Sequence, residues 1–562
     1  MQGVELLGDD TQARQWERAE SVAELAVFEA AASEGTSQRS FAREHGVPRT
    51  TLQHWLARKH AIEASPALVM FFESPDGLAF LHRLVIALQF VMSFMSGCGL
   101  RPVAMVLDLA GLAAFVANSF GSRQRLGVEM EAQIRTFAKE QRTKLSQQME
   151  TKRITVCEDE TFHPETCLVA IEPVSNFILL EQYAEARDAA TWNGALMEAL
   201  RELPVRVIQS TSDEGKGLLA HVRAGLGAHH SPDVFHVQQE LSRATSVALA
   251  GQVRQAEQAT TEAAAQTQAQ RAEAEAWPHI EHGPGRPPNF EARIAQAKAT
   301  EDQAKQALDV ARQRQERAYR AVRGIGQAHH PIDLTTGALR SAEQVTKDLE
   351  HNFTEITAVA EEVSLPERCR KGIQKAHRLV PSLACTVAFF LREVEAQIGA
   401  LGLTLEEARV VEQRLVPAAY LERAASKATP ADTRPPLRDL AEGLRSDAQP
   451  MLAHLAPDRR ATVERVAQDC ADIFQRSSSC VEGRNGQLSL RHHSLHSIAP
   501  ARLEALTAVH NYFIRRRDAT TAAERFFGVK PADLFAWLLD HLDMPARPAK
   551  ARAQEVAPRL VN

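Results

Sequence analysis

The apolar residues of this chain change their spacing at residue 153, within a sequence that otherwise favours helices. Before that point they recur every three or four positions, which is typical of amphipathic helices. After it, short runs rich in Val, Ile, Leu and Cys are separated by turn residues, which is typical of strands. In chain order we predict strands at 153–159, 167–172, 177–182, 205–209 and 233–237, with helices at 189–203 and 217–226. Three meandering strands followed by alternating helices and strands predict an α/β fold with a mixed sheet covered by helices.

No strand signal follows the predicted sheet until about residue 478. An Ala/Gln/Glu-rich run at 252–276 predicts a long helix, and the Pro/Gly-rich stretch at 278–289 must break it. A second long polar helix is predicted from 290 to about 323. The two helices predict an antiparallel hairpin over about 241–323, inside a large all-helical insertion.

The N-terminal region predicts a helix-turn-helix. A short helix around Phe41 precedes a turn at Gly46, and Pro48 begins a second helix that carries Leu52 and Trp55. Residues 37–60 hold five Lys/Arg and one Glu, a local charge of +4, which favours DNA binding. An ordinary helical hairpin would have the same apolar pattern. The side chains that we expect to face DNA are Arg39, Arg43, Arg49, Thr50, Thr51 and Gln53.

Residues 65–150 are also predicted to be helical and contain a second candidate DNA-binding unit, with Ser119, Ser122, Arg123 and Arg125 at its groove-facing end. Core packing alone would explain the apolar part of this region. The predicted domains are 1–64 (helix-turn-helix), 65–150 (helical), 151–240 (first part of the α/β core), 241–477 (insertion), 478–545 (second part of the core) and 546–562 (flexible tail).

Composition excludes several classes of protein. With 44% hydrophobic and 24% charged residues the chain is unlike a disordered protein, and its net charge of −6 is unlike a uniformly basic histone-type protein. The seven cysteines form no CxxC pair, so we expect a reduced cytoplasmic protein without a disulfide framework or zinc ribbon. The apolar stretch 78–95 contains His82 and Arg83, which favours a buried helix over a membrane span. No signal peptide is visible, and no membrane partner is expected.

Three acidic residues stand at positions suited to metal chemistry. Asp159 ends the first predicted strand, Asp213 follows the fourth, and Glu482 lies near the start of a late helix. Carboxylates on rigid strand ends can hold Mg²⁺ or Mn²⁺. Two such ions can activate an attacking hydroxyl and stabilise the leaving oxygen of a phosphodiester. Glu158 and Glu160 are alternatives to Asp159, although alternation along the strand points them to the opposite face. Helix capping alone would also explain a strand-end Asp.

Several short sequence motifs, in their order along the chain, resemble those of the DDE-type, RNase H-like transposases of bacterial insertion sequences. The motifs are Asp-Glu-Thr at 159–161, Ser-Asp-Glu-Gly-Lys-Gly at 212–217, Pro-Asp-Val-Phe-His at 232–236, Val-Glu-Gly-Arg-Asn-Gly-Gln-Leu-Ser-Leu-Arg at 481–491, His-Asn-Tyr-Phe-Ile-Arg-Arg-Arg at 510–517 and Thr-Ala-Ala-Glu-Arg-Phe-Phe-Gly at 521–528. The resemblance covers roughly 153–240 and 478–530. Two departures are the 269 residues between Asp213 and Glu482, which require a large insertion in the core, and Ala522 where the family usually has proline.

The resemblance implies an RNase H-like core in which Asp159, Asp213 and Glu482 bind two Mg²⁺ or Mn²⁺ ions. It implies a DNA transposase that cleaves the ends of a mobile element and joins them to target DNA. Its partners would be double-stranded DNA, as terminal repeats and target, and a second copy of the chain in a homodimer or larger assembly. The expected location is the bacterial cytoplasm, in association with the nucleoid.

Further residues are expected along the DNA path. Arg484, Asn485 and Arg491 would line it, and Lys216 and His236 would contact phosphate. Two alternatives remain open. One is a catalytically inactive or domesticated DNA-binding or scaffold protein, and the other is an RNase H-like nuclease without strand transfer.

Overall fold

The computed structural model describes residues 15–162, 165–281, 283, 285–428, 431–495 and 497–548, without the side chains of 494 and 495. Within them the chain divides into two compact units. The first, which we call the helical unit, comprises 1–149, 181–183 and 486–562. The second, which we call the sheet unit, comprises 150–180 and 184–485.

Helices precede the sheet along the chain. They are α1 (Arg18–Ser33), α2 (Gln38–Glu44), α3 (Arg49–His60), α4 (Pro66–Phe72), α5 (Pro75–Leu88, continued as a π-helix over Gln89–Met95), α6 (Leu100–Leu109) and α7 (Phe120–Ser146), with a 3-10 turn at Leu112–Ala114. The sheet region contains β1 (Lys152–Phe162), β2 (Thr166–Glu172), β3 (Phe177–Ala184), α8 (Ala189–Leu200), β4 (Val205–Ser212), α9 (Lys216–Ala220, continued as a π-helix over His221–Leu226) and β5 (His229–Pro232).

The elements after the sheet are helical. They are α10 (Val234–Ala276), α11 (Phe290–Ala328), α12 (Ala342–Glu362), α13 (Glu367–His377), α14 (Val380–Gly399), α15 (Leu405–Val410, continued as a π-helix over Val411–Leu415), α16 (Val416–Lys427), α17 (Arg434–His454), α18 (Pro457–Ile473), α19 (Ser479–Leu495), α20 (Pro500–Tyr512), α21 (Ala522–Phe527) and α22 (Leu534–His541). Short 3-10 turns lie at Trp277–His279 and Ala431–Thr433.

In the helical unit, α1, α2 and α3 enclose a small core. Phe41, Leu52 and Trp55 are buried together with Leu25 and Phe28. Gly46 has a φ of 64°, a left-handed conformation that glycine adopts without steric cost and that turns the chain between α2 and α3. Pro48 stands immediately before α3 rather than inside it.

One helix of the helical unit, Pro75–Met95, is long and apolar enough to cross a membrane by length and composition. Its most apolar window has a mean hydropathy of 1.8, and half of that window is buried inside the structure.

The first residues of the predicted flexible tail, 546–548, have contacts within the helical unit. Ala546 O accepts a hydrogen bond from Ala117 N at 2.7 Å, and Arg547 pairs with the buried Glu73 at 2.6 Å. These contacts fix residues 546–548 on the helical unit, because a buried carboxylate requires a cationic partner. The rest of the predicted tail, 549–562, lies outside the described residues.

In the sheet unit, the strand order is β3-β2-β1-β4-β5. Strand β1 is antiparallel to β2 and parallel to β4, and β4 is parallel to β5. The prediction of a mixed α/β sheet together with a helical region is confirmed. The fifth strand is the exception, since it is His229–Pro232 and not 233–237.

Residues 234–237 form the first turn of α10 instead. Asp233 precedes this helix and accepts a hydrogen bond from Phe235 N at 2.7 Å, which satisfies an N–H that has no partner within the helix. The run Val-Phe-His-Val resembles a strand locally. Its buried members Val234 and Val237 follow helical spacing, together with Leu241 in the next turn.

The helices α10 and α11 form an antiparallel hairpin. Arg293 pairs with Glu273 at 3.4 Å, and Arg312 pairs with Glu257 at 2.8 Å, so residue numbers rise on one helix as they fall on the other. The remaining helices α12–α18 pack around buried aromatic residues, including Phe353 and Phe390. These helices separate Asp213 from Glu482 in the sequence while α19 returns to the sheet.

Candidate functional site

The candidate site forms at the carboxyl ends of the parallel strands. In the pairing of β1 with β4, Cys157 is opposite Thr211. Asp159 and Asp213 each lie two residues further along the chain, so the register places them side by side at one edge of the sheet. Ligands of open α/β sheets bind at such edges.

The first turn of α19 brings Glu482 and Asn485 to the same edge. Asn485 Nδ2 donates to Asp159 Oδ2 at 3.4 Å. The start of α19 is in turn held by Asp233, whose Oδ2 accepts hydrogen bonds from Ser478 N at 3.0 Å and from Ser478 Oγ. Asp233 therefore connects the end of β5 with the helix that carries Glu482.

His236 lies between the acidic residues. Its Nδ1 is 3.0 Å from Asp233 Oδ2, and its Nε2 is 3.8 Å from Glu482 Oε1. The hydrogen bond to Asp233 outweighs burial and raises the pKa of His236 to about 9, with further contributions from the charges of Asp159 and Glu482. The imidazole is therefore cationic at neutral pH.

Asp233 is buried and remains ionised. Burial by itself raises the pKa of its carboxyl, but hydrogen bonds from His236 and Ser478 outweigh this effect and bring the pKa below its ordinary value. Sequence reasoning assigns Asp233 to a motif but gives it no role of its own. An Asp directly before an apolar helical face is a capping signal that could have identified it.

The electrostatics of Asp159 link the predicted acidic residues. Burial raises its pKa to about 6, and the negative charges of Asp213 and Glu482 act in the same direction. The Glu160 N–H and the charge of His236 act against this rise. Burial also raises the pKa of Glu482, which His236 opposes. Asp159, Asp213 and Glu482 thus share one electrostatic environment.

These residues have the donor chemistry for Mg²⁺ or Mn²⁺, since carboxylate oxygens are the preferred ligands of hard divalent cations. Their spacing is wider than a coordination shell. Among the described residues, no group of three or more His, Cys, Asp or Glu side chains stands ready to hold a metal ion. The Glu482 carboxylate lies 3.8 Å from His236 Nε2, and the three acidic residues fit such ions in chemical type and in charge.

Glu158 and Glu160, the alternatives to Asp159, lie on the other face of β1. Glu158 is fully buried, with His221 Nε2 at 3.1 Å and a hydrogen bond from Ser210 Oγ. Glu160 accepts a hydrogen bond from Trp192 Nε1 at 3.1 Å. Neither carboxylate can join Asp159, because consecutive side chains of a strand point to opposite faces.

The predicted DNA contacts of the helix-turn-helix lie at the surface. Arg39 and Arg43 are exposed on α2, and Arg49, Thr50 and Gln53 are exposed on α3. Thr51 is half-buried. In the second candidate unit, Arg123 is buried and donates to Ala117 O at 2.9 Å, so its guanidinium supports the fold rather than facing a groove.

Two of the predicted DNA contacts, Arg484 and Arg491, have partners within the protein. Arg484 is only 5% exposed. Arg491, in the helical unit, donates to Phe94 O at 2.8 Å and to Met95 O. Both side chains are engaged within the protein, whereas Asn485 lies at the candidate site. Lys216 is exposed at the first position of α9.

Comparison with known proteins gives one match. Residues 411–554 match a family of unknown function, DUF6399. The matched segment includes Glu482 and Asn485 but covers only 144 of the 562 residues. No curated protein and no solved structure matches the chain significantly.

Proposed function

We propose that this chain is a DNA transposase that cleaves the ends of a mobile element and joins them to target DNA. The observation that supports this most strongly is the position of Asp159 and Asp213, each two residues beyond the last paired residues of the parallel strands β1 and β4, in one electrostatic environment with Glu482. The strand order, with β2 antiparallel to its neighbour β1, agrees with an RNase H-like core. The helices between β5 and α19 agree with a core that is split by an insertion.

In this proposal Asp159, Asp213 and Glu482 hold two Mg²⁺ or Mn²⁺ ions. Bound there, the ions would polarise the phosphodiester and activate the attacking oxygen. His236, kept protonated by Asp233, offers an N–H to a phosphate oxygen. Asn485 fixes the orientation of the Asp159 carboxylate through their hydrogen bond.

The helix-turn-helix binds the terminal repeats of the element, with Arg39, Arg43 and Arg49 at phosphates and Thr50, Thr51 and Gln53 at base edges. Joining two ends requires a homodimer or a larger assembly on DNA. The proposed location is the bacterial cytoplasm, in association with the nucleoid.

The test uses the purified full chain, Mg²⁺ and DNA that carries the inverted repeats flanking its own gene. We expect joined products with the wild type and none with Asp213→Asn, because the amide removes a charged ligand at the strand end. Glu214→Gln is the matched control, since it removes the same charge at the exposed neighbouring position.

The other outcomes distinguish the alternatives. Cleavage without joining would indicate an RNase H-like nuclease. Metal-independent DNA binding without strand breakage in either protein would indicate a DNA-binding or scaffold protein and would contradict both enzymatic functions.

A further inference from the structure

A groove follows the hairpin of α10 and α11 within the sheet unit. The α10 side of its first part is lined at helical spacing by Phe235, Gln239, Ser242 and Ser246, and the α11 side includes Tyr319 and Arg323. This part has a volume of about 590 Å³, within the usual range of sites for small organic groups. A second part shares Ser246 with the first and continues along α10 to Arg254. From Phe235 to Arg254 the helix rises by about 28 Å, which is long enough for several nucleotides of a strand.

The groove begins next to the candidate site. The ring of Phe235 lies edge-on to the ring of His236, with centroids 6.1 Å apart. His236 Nε2 is in turn 3.8 Å from Glu482 Oε1. A chain molecule that enters the candidate site can therefore continue along the groove, past Phe235 and towards the tip of the hairpin.

Two aromatic rings of the groove are open to solvent. Tyr319 is 57% exposed and Phe235 is 39% exposed, whereas Leu249 and Val322 are buried beneath them as apolar lining. The guanidinium of Arg323 lies over the Tyr319 ring, 5.6 Å from its centroid. Exposed rings beside a cation are the arrangement on which unpaired bases stack in proteins that bind single strands.

The cations of the groove differ from other arginines of α11. Arg312 pairs with Glu257 at 2.8 Å, and Arg320 pairs at 3.4 Å with Glu316, an acidic residue that lines the first part of the groove. Arg254 and Arg323 are also exposed, but neither has an ion pair within the part of the chain that the structure describes. The groove thus presents two uncompensated positive charges, which are complementary to the phosphates of a nucleic acid strand.

We propose that this groove binds an unpaired segment of a nucleic acid strand, with bases stacked on Tyr319 and Phe235 and with phosphates at Arg323 and Arg254. The half-buried amide and hydroxyl side chains between them are available to hydrogen-bond with base edges. A bound peptide helix would instead require apolar anchors at these glutamine and serine positions. This inference does not rest on the proposed function, because such binding requires neither a metal ion nor strand cleavage.

The experiment measures the binding of fluorescent oligonucleotides of about 12 nucleotides to the purified full chain by anisotropy, in EDTA. The probes are oligo(dT), oligo(rU) and a DNA duplex of the same length, and the tighter of the two single strands identifies the kind of strand that the groove takes. We expect Tyr319→Ala to raise the Kd for that strand about tenfold, because a stacking ring is lost. Tyr319→Phe is the matched control, since it keeps the ring and should leave the Kd within about twofold. The duplex should bind equally to all three proteins, because its bases are already paired and stacked.

The phosphate contact has a separate measurement. Arg323→Gln should lower the slope of log Kd against log salt by about 0.7, the value for one phosphate contact on a single strand. Arg243→Gln, an exposed change on α10 outside the lining of the groove, should leave the slope unchanged. Tyr319, Arg323 and Arg243 are all exposed, so we expect these variants to fold, and circular dichroism checks this.

Four results would overturn the proposal. They are the absence of binding to either single strand, equal affinities of the wild type and Tyr319→Ala, equal losses in Tyr319→Ala and Tyr319→Phe, and a change in molar mass by light scattering in Tyr319→Ala without a change in Kd. The last result would indicate that the groove binds a second copy of the chain. Because binding is measured without Mg²⁺, its failure is distinguishable from a failure of strand transfer.

Discussion

The two faces of β1 carry acidic residues with opposite roles, although Glu158 and Asp159 are neighbours in the sequence. Glu158 is fully buried and paired with His221, which is also fully buried, and with Ser210. Asp159 is partly exposed on the opposite face, where Asp213 and Glu482 add negative charge to its surroundings. The Glu158 carboxylate has hydrogen-bond partners inside the protein, whereas the Asp159 carboxylate lies near the His236 imidazole and near two other carboxylates.

This difference shows that the two faces of one strand can carry a carboxylate that stabilises the fold and a carboxylate that is available to a ligand. A buried carboxylate requires hydrogen-bond partners, and once it has them it is unavailable for a ligand. A carboxylate near other carboxylates is destabilised in its ionised form, and a bound cation would stabilise that form. The alternation of side chains along β1 assigns Glu158 to the first group and Asp159 to the second.

The largest expected effect is a difference in DNA strand transfer between variants on the two faces of β1. Asp159→Asn should lower DNA strand transfer by roughly a thousandfold or more, because it removes a charged group of the site. Glu160→Gln is the matched control, since it neutralises the next residue on the opposite face. The measurement is the rate of joined-product formation with Mg²⁺. Equal losses in both variants would show that Asp159 has no special role.

The next effect is a loss in the free energy of unfolding when the buried Glu158 of β1 is changed. Glu158→Ala leaves His221 buried without its carboxylate and should lower the free energy of unfolding by about 3–5 kcal/mol. Urea unfolding followed by tryptophan fluorescence measures this change, and Trp192, whose ring stacks on His221 with centroids 5.8 Å apart, is one of the five tryptophans that contribute to the signal. The exposed change Glu214→Gln should cost less than about 0.5 kcal/mol. A loss below about 1 kcal/mol for Glu158→Ala would mean that the pair contributes little.

The raised pKa of Asp159 should be visible in the pH dependence of the free energy of unfolding. Its pKa is about 6 in the folded chain against an ordinary value of 3.8, so the folded state binds the proton more tightly. The contribution of Asp159 to the free energy of unfolding is therefore greatest below pH 3.8. It falls by up to about 3 kcal/mol as the pH rises from 3.8 through about 6. Urea titrations from pH 4 to 7 should show this fall in the wild type and not in Asp159→Asn. An unchanged fall in the variant would assign it to other groups.

His236 should add a second window at higher pH. Its pKa is about 9 in the folded chain against an ordinary 6.5, so its contribution to stability is complete below 6.5 and is lost as the pH rises through about 9. His236→Gln should remove that loss in the same titration. If the variant retains the full decline between these values, Asp233 does not hold a proton on this ring.

The smallest effect concerns the contact between α19 and Asp159. The hydrogen bond from Asn485 is 3.4 Å long, so Asn485→Ala should lower the free energy of unfolding by only about 0.5–1 kcal/mol. Strand transfer should fall about tenfold, which corresponds to about 1.4 kcal/mol, because Asp159 loses its orientation but keeps its charge. Gln487→Ala, an exposed change on the same helix, should alter neither quantity. A loss as large as that of Asp159→Asn would make Asn485 part of the reacting set.

Much of the sheet could be predicted from the sequence because its signals are local. The strands β1 to β4 lie within a few residues of their predicted positions, and the pairing of β1 with β4 at Cys157 and Thr211 places Asp159 and Asp213 as expected. The prediction of the fifth strand is wrong because Val234–Val237 is apolar in a way that suits either a strand or a helix. The cap at Asp233 decides in favour of the helix.

The charged side chains of α19 are harder to predict. Arg484 and Arg491 carry the same charge and occupy a polar helix, and the sequence gives no indication that both are engaged within the protein. Asn485 differs from them in its place on the helix, next to Asp159. Burial of an arginine depends on what other elements bring to it, which periodicity within one helix cannot specify.

The sequence by itself determined the helix-turn-helix pattern, the strand-forming segment and the acidic residues at strand ends, because each depends on neighbours a few positions away. Only the tertiary structure decided that Asp233 binds the start of α19 through Ser478 and pairs with His236. It also decided that Glu158 pairs with the buried His221 and that Asp159 lies near Asp213 and Glu482. These properties depend on burial and on charges contributed by distant segments, so they arise only when the folded chain brings those segments together.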